Sequence, residues 1–95
     1  MGSDAGFAIL QLNSTAAPLA YYVIRALHSG MMRAFFKMRT KYPDAFTIYH
    51  NPAMPNGINL YNTLKESGKI VHKGNYFEPK SCDVAELLDT IAKLL

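Results

Sequence analysis

The sequence predicts a small single-domain α/β fold of a few strands and two or three helices, and three observations lead there. Ninety-five residues suffice for one domain and not for two. A hydrophobic fraction of 49% against 18% charged residues is too apolar for a disordered tail. Stretches of β-branched and aromatic residues alternate with stretches of helical period, in the order strand, helix, strand, undecided element, strand, helix. A chain this short buries one core of a few strands and two or three helices, with little surface left for an elaborate active site. Trp is absent, and six Tyr and five Phe supply the bulk.

Residues 1–18, MGSDAGFAILQLNSTAAP, read as an N-terminal extension, and residues 19–95 as the domain. The extension has no basic start, so it is neither a secretory signal nor an Arg-rich transit peptide. Gly6 stands where a myristoylation pattern needs Ser or Thr. The stretch from Ala5 to Ile24 carries no charge and is long enough to cross a bilayer. It contains Gln11, Asn13, Ser14, Thr15 and Pro18, all costly in hydrocarbon, and no membrane span is expected.

Leu19 to Leu27, LAYYVIRAL, reads as the first strand, because Tyr21, Tyr22, Val23 and Ile24 favour a pleated surface. A helix from Thr15 with Pro18 in its first turn is the competitor. His28-Ser29-Gly30 then turns the chain. Met31 to Lys41 reads as helix, with Met31, Ala34, Phe35 and Met38 on one face. Tyr42-Pro43-Asp44 ends it. Ala45 to His50 reads as strand, with Phe46, Ile48 and His50 on one face and Thr47 and Tyr49 on the other. Asn51 to Gly57 follows as a loop holding two prolines and a glycine.

Ile58 to Ser67 satisfies both periods. As a helix it sets Ile58, Tyr61 and Leu64 in a stripe with Gly68 as its stop. As a strand it alternates Ile58, Leu60, Asn62 and Leu64. Lys69 to Phe77 contains a strand, KIVHK, before Gly74-Asn75. Ser81 to Leu95 reads as helix. Ser81 is the expected N-cap, Asp83 and Glu86 lie in the first turn, and Val84, Leu87, Leu88, Ile91, Leu94 and Leu95 form a broad apolar face.

Chemistry-bearing constellations are scarce. His28, His50 and His72 lack metal-ligand spacing and an accompanying carboxylate cluster. The four Asp and three Glu are scattered, and no pair is placed for general acid–base work. No serine has a nucleophile-elbow context, and there is no glycine-rich phosphate loop. The single cysteine, Cys82, excludes an internal disulfide, a CxxC pair and a cysteine zinc cluster, which fits a reducing compartment. No catalytic residue, metal ligand or cofactor is expected. The net charge of +3 is modest, with Arg25, Arg33 and Arg39 the only arginines. A dedicated nucleic-acid binder shows a denser basic face. A partly apolar subunit interface fits better. Arg33, Lys37, Arg39 and Lys41 lie off the apolar stripe of their helix and are free to meet a partner.

Two resemblances bear on the fold. Thr47-Ile48-Tyr49-His50-Asn51-Pro52-Ala53 resembles the opening strand and active-site loop of glutaredoxin-type arsenate reductases. In that family the catalytic cysteine comes next; here it is Met54, whose thioether cannot supply a thiolate. Met31-Met32-Arg33-Ala34-Phe35, Tyr42-Pro43-Asp44, Phe46-Thr47-Ile48-Tyr49, Ser67-Gly68, Asn75 and the span from Val84 to Leu95 are similar to another family. It is the small thioredoxin-like family shared by an accessory subunit of respiratory complex I and several mitochondrial ribosomal proteins. In that alignment either Arg25 or Arg33 takes the place of the family's arginine.

The resemblance implies a thioredoxin-like fold, a small mixed sheet with flanking helices, and a non-catalytic structural subunit of a large mitochondrial assembly on the matrix side. Its partners would be other protein subunits. Complex I is the first reading, and the ribosome, with ribosomal RNA as partner, is the alternative. A degenerate thiol oxidoreductase is third. Arg33, Lys37, Arg39, Met54 and Pro55 are the expected partner-binding residues, on the cationic helix and the proline-containing loop.

Overall fold

Residues 5–11, which the sequence suggests as part of an extension, form an interior strand of the sheet, paired on both sides. The computed structural model describes residues 5–54, 57–80 and 83–93. Its elements are β1 (Ala5–Gln11), β2 (Tyr21–Leu27), α1 (His28–Lys41), β3 (Phe46–Met54), α2 (Gly57–Ser67), β4 (Ile70–Lys73), β5 (Tyr76–Pro79) and α3 (Val84–Lys93). The strands are ordered β3-β1-β2-β5-β4.

The boundary expected at residue 18 is thereby corrected. Phe7, Ala8, Ile9 and Leu10 are all fully buried. An uninterrupted apolar run bounded by polar residues is the signature of a strand covered on both faces. Phe7 and Ile9 point to one side of the sheet, and Ala8 and Leu10 to the other.

Each neighbouring strand pair is antiparallel, which corrects the expected mixed sheet. The cause is β1. The strands β2 and β3 joined by α1 run parallel to each other, but β1 stands between them and pairs antiparallel with both. The mixed α/β character holds, with five strands and three helices among the described residues.

Two further expectations change. The turn at His28-Ser29-Gly30 is absent: β2 runs straight into α1, with Leu27 in extended conformation as its N-cap. The loop expected from Asn51 does not begin there. The strand β3 continues to Met54, because β1 offers Phe7 opposite Asn51 and Ala5 opposite Met54. Pro52 is tolerated because β3 is an end strand. Residues 55 and 56 lie outside the described residues.

The helices cover both faces. Met31 and Met38 of α1 join Ala8, Leu10, Leu12, Ile24, Tyr42 and Ala45 in one cluster. Gly6 lets the start of α1 settle on β1, since a Cβ there would stand 2.7 Å from Met31 Cγ and Sδ. Gly6→Val should lower stability by about 1–3 kcal/mol through overpacking, read as a shifted urea midpoint at unchanged slope.

On the other face, Tyr61 and Leu64 of α2 and Leu87 and Ile91 of α3 pack with Phe7, Ile9, Val23, Ile70 and Phe77. The segment with two readings is therefore helical. It ends at Gly68, whose φ of +75° is the left-handed stop. The hairpin between β4 and β5 turns on Gly74-Asn75, with Gly74 at φ +62° in the first turn position, as a type II′ turn requires. The cap of α3 is Asp83, whose Oδ1 accepts the Glu86 N–H at 2.8 Å. Ser81, the expected cap, lies outside the described residues.

Candidate partner-docking site

Four cations and no anion lie on α1. Its inward stripe, with Met31 and Met38 buried and Ala34 and Phe35 half-buried, is the one the sequence predicts. Two large apolar side chains lie off that stripe, and they have no place in the core. Met32 is 77% exposed and Phe36 75%. A monomeric domain usually scatters such residues singly. Here they are one helical turn apart on one face.

They open onto a groove of about 640 Å³ between α1 and β3. Met32, Phe35, Phe36 and Arg39 line it at helical spacing, with Arg33 beside them, and Thr47 and His50 of β3 form the other wall. Phe35 meets the His50 ring edge-on, 5.3 Å between centroids, which ties the helix to the strand. Phe46, on the same end strand, is 47% exposed.

A bulge gives Thr47 and His50 the same wall. Thr47 pairs with Leu10 and Tyr49 with Ile9, so Ile48 is an extra residue in β3. Strict alternation would put Thr47 and His50 on opposite faces. The extra residue reverses the parity, and Ile48 and Tyr49 both pack on the α2–α3 side, with Tyr49 edge-on to Phe7 at 6.0 Å.

The expected partner residues divide among several places. Arg33 and Arg39 flank the groove. Lys37 lies on the other flank of α1, at a cleft of about 150 Å³ shared with Tyr22, Ile24, Ala26 and Asn75. Lys41 reaches the Tyr76 hydroxyl at 3.5 Å and its ammonium lies 5.6 Å from the Tyr42 ring centre. The Tyr76 hydroxyl raises the Lys41 pKa, and a hydrogen bond between the Tyr42 and Tyr76 hydroxyls, 3.0 Å apart, raises that of Tyr42. Met54 closes β3 opposite Ala5. Pro55 and Cys82 lie outside the described residues.

Sequence reasoning missed Phe36 and Met32, although the signal was present. Both are apolar residues that the i, i+3, i+4, i+7 stripe leaves out, and a misfit of that kind marks a second, unpartnered face.

Arg25 has a different part from Arg33. Its Nη2 donates to Asn75 Oδ1 at 2.9 Å, and its guanidinium lies 4.9 Å from the Tyr61 ring centre. Tyr61 in turn donates to the Gly74 carbonyl at 2.8 Å. This group ties β2 and α2 to the β4–β5 turn. Burial raises the Tyr61 pKa, partly offset by Arg25, so the neutral phenol is the folded form. A raised folded pKa stabilises below the ordinary phenol range, and that share is lost as pH climbs through the folded value. Tyr61→Phe should cost about 0.5–1.5 kcal/mol at neutral pH and flatten the alkaline loss of stability, measured by denaturant titration across pH.

Among the described residues, no group of three or more His, Cys, Asp or Glu could hold a metal ion. No described helix is long and apolar enough to cross a membrane. No curated protein and no solved structure matches the chain. A family model described as Protein of unknown function (DUF3627) matches residues 3–77, from just before β1 into β5, and the chain belongs to that family.

Proposed function

We propose that this domain is a non-catalytic docking module, a structural subunit that joins a larger assembly through the α1–β3 groove. The observation that carries the reading is the pair Met32 and Phe36, exposed side by side over an apolar groove on a rigid helix. Exposed apolar side chains at the centre of a concavity, ringed by polar groups, are how subunit interfaces gain their energy. The fold supplies a firm base, because Met31 and Met38 anchor the opposite side of the same helix.

The finer reading, an accessory subunit of respiratory complex I on the matrix side, rests on the sequence resemblance alone. So do the ribosomal alternative and the thioredoxin-like fold. The antiparallel pairing of β1 with both neighbours gives the thioredoxin-like form no support.

Native electrophoresis of the source extract tests the module. The wild-type chain should migrate well above its own mass, and Phe36→Asp should return it to the position of the free domain with its circular dichroism unchanged. A wild-type chain that migrates alone contradicts the reading. Co-migration with NADH dehydrogenase activity would favour complex I, and co-migration with ribosomal RNA the ribosome.

A further inference from the structure

The groove carries information about its partner as well as its place. We infer that it accepts an acidic protein segment that seats one or two large apolar side chains between α1 and β3 and sets its carboxylates against Arg33 and Arg39. This inference rests on the docking reading above and adds the chemistry of the occupant.

Three features select that chemistry. The groove wall is apolar where it is deepest in aromatic and thioether surface, at Met32, Phe35 and Phe36. Methionine and phenylalanine side by side favour aliphatic or aromatic anchors. Among the described residues, the charged groups lining the groove are the guanidiniums of Arg33 and Arg39, and no carboxylate lines it. Arginine pairs carboxylates with two parallel hydrogen bonds, which fixes register as well as charge.

A second copy of this chain is a poor occupant. A twofold contact through this face would bring Arg33 and Arg39 toward the same residues of the other copy, and like charges across an interface are strongly unfavourable. Simple addition of a partner strand to β3 is also disfavoured. Its register on β1 shifts twice, between Ala5 and Phe7 and between Ile9 and Leu10, and such irregularity blunts an edge. Nucleic acid would use the arginines and could stack on Phe36. It would leave Met32 and the apolar wall without a matching surface.

The test uses the full chain and four fluorescent probes read by anisotropy. The first is a twelve-residue peptide of Asp and Glu carrying Phe and Leu anchors. The second keeps the anchors and replaces every acid by Lys, and the third keeps the acids and replaces the anchors by Ser. The fourth is a single-stranded DNA twelve-mer. The first should bind, with the second and third each weaker by about tenfold or more, as expected for losing two rim charge pairs or a desolvated anchor. Arg33→Glu with Arg39→Glu should invert the preference between the first two probes. Failure of the first probe to bind overturns the inference. So does equal binding of the first two, or tighter binding of the DNA, which would assign the arginines to phosphates. If Phe36→Asp frees the chain from its assembly but the charge of the probe makes no difference, docking stands and the acidic partner falls. If Phe36→Asp does not free it, the docking reading itself falls.

Discussion

Phe7→Ala should remove a large share of this domain's stability. The side chain is fully buried, edge-on to Tyr49, in an interior strand of the sheet. It packs in the cluster that α2 and α3 also enter. Removing a buried phenylalanine costs about 3–5 kcal/mol, because the lost transfer energy adds to a cavity that the neighbours fill only in part. A domain of this size has about 5–15 kcal/mol in total. Deleting residues 1–11 should be worse. Both β2 and β3 pair with β1, so its removal leaves two unpaired edges and splits the sheet. Thermal melts and urea titrations check both. If the truncated chain kept a cooperative melt near that of the parent, residues 5–11 would be an extension after all.

Replacing Met32 and Phe36 together by aspartate should have the opposite profile. Each side chain is more than two-thirds exposed, so neither contributes much to folding. Binding should suffer far more. Truncating a central anchor typically costs 2 kcal/mol or more, roughly thirtyfold in affinity, and here two anchors are exchanged for charges that must be desolvated. We therefore expect loss of assembly by a factor of at least about a hundred, with a melting temperature within a few degrees of the parent. Arg33→Glu alone should act more weakly, since rim charge pairs contribute about 0.2–1 kcal/mol. Its effect should shrink as salt is raised. Lys37→Glu should have little effect on docking, because Lys37 lies at the cleft beside β2 and not at the groove.

How much of this was legible depends on which signal each residue carries. The stripe of α1 was readable because Met31, Ala34, Phe35 and Met38 obey a single period and all settle on one side of the sheet. The α3 face was readable for the same reason, although Leu87 and Ile91 are the fully buried members and Leu88 only packs against them. The strand β1 was hidden because its apolar residues face both ways. Alternation is lost when both faces are covered, and what remains resembles an uncharged terminal stretch. Missing β1 then shortened β3, whose last residues are extended only because β1 pairs with them.

The groove was half legible. Arg33 and Arg39 could be named because charged residues off an apolar stripe must face outward. Their apolar neighbours Met32 and Phe36 were not recognised as surface residues, since a hydrophobic residue is assigned to the core unless the stripe is drawn strictly. The other wall was out of reach. Thr47 and His50 share it because of the bulge at Ile48, and a bulge depends on the partner strand rather than on the local sequence. The choice of helix for residues 57–67 likewise came from packing, as Tyr61 and Leu64 bury together only at helical spacing.

The position of the docking surface is tested most directly by site-specific photo-cross-linking within the native assembly. One chain carries a benzophenone side chain at position 36, and a second carries it at position 71, an exposed site on β4 at the far end of the sheet. Cross-links to another protein from position 36 and none from position 71 are the expected result. Cross-links from position 71 with position 36 silent would place the contact on the opposite sheet edge and contradict the assignment of the α1–β3 groove.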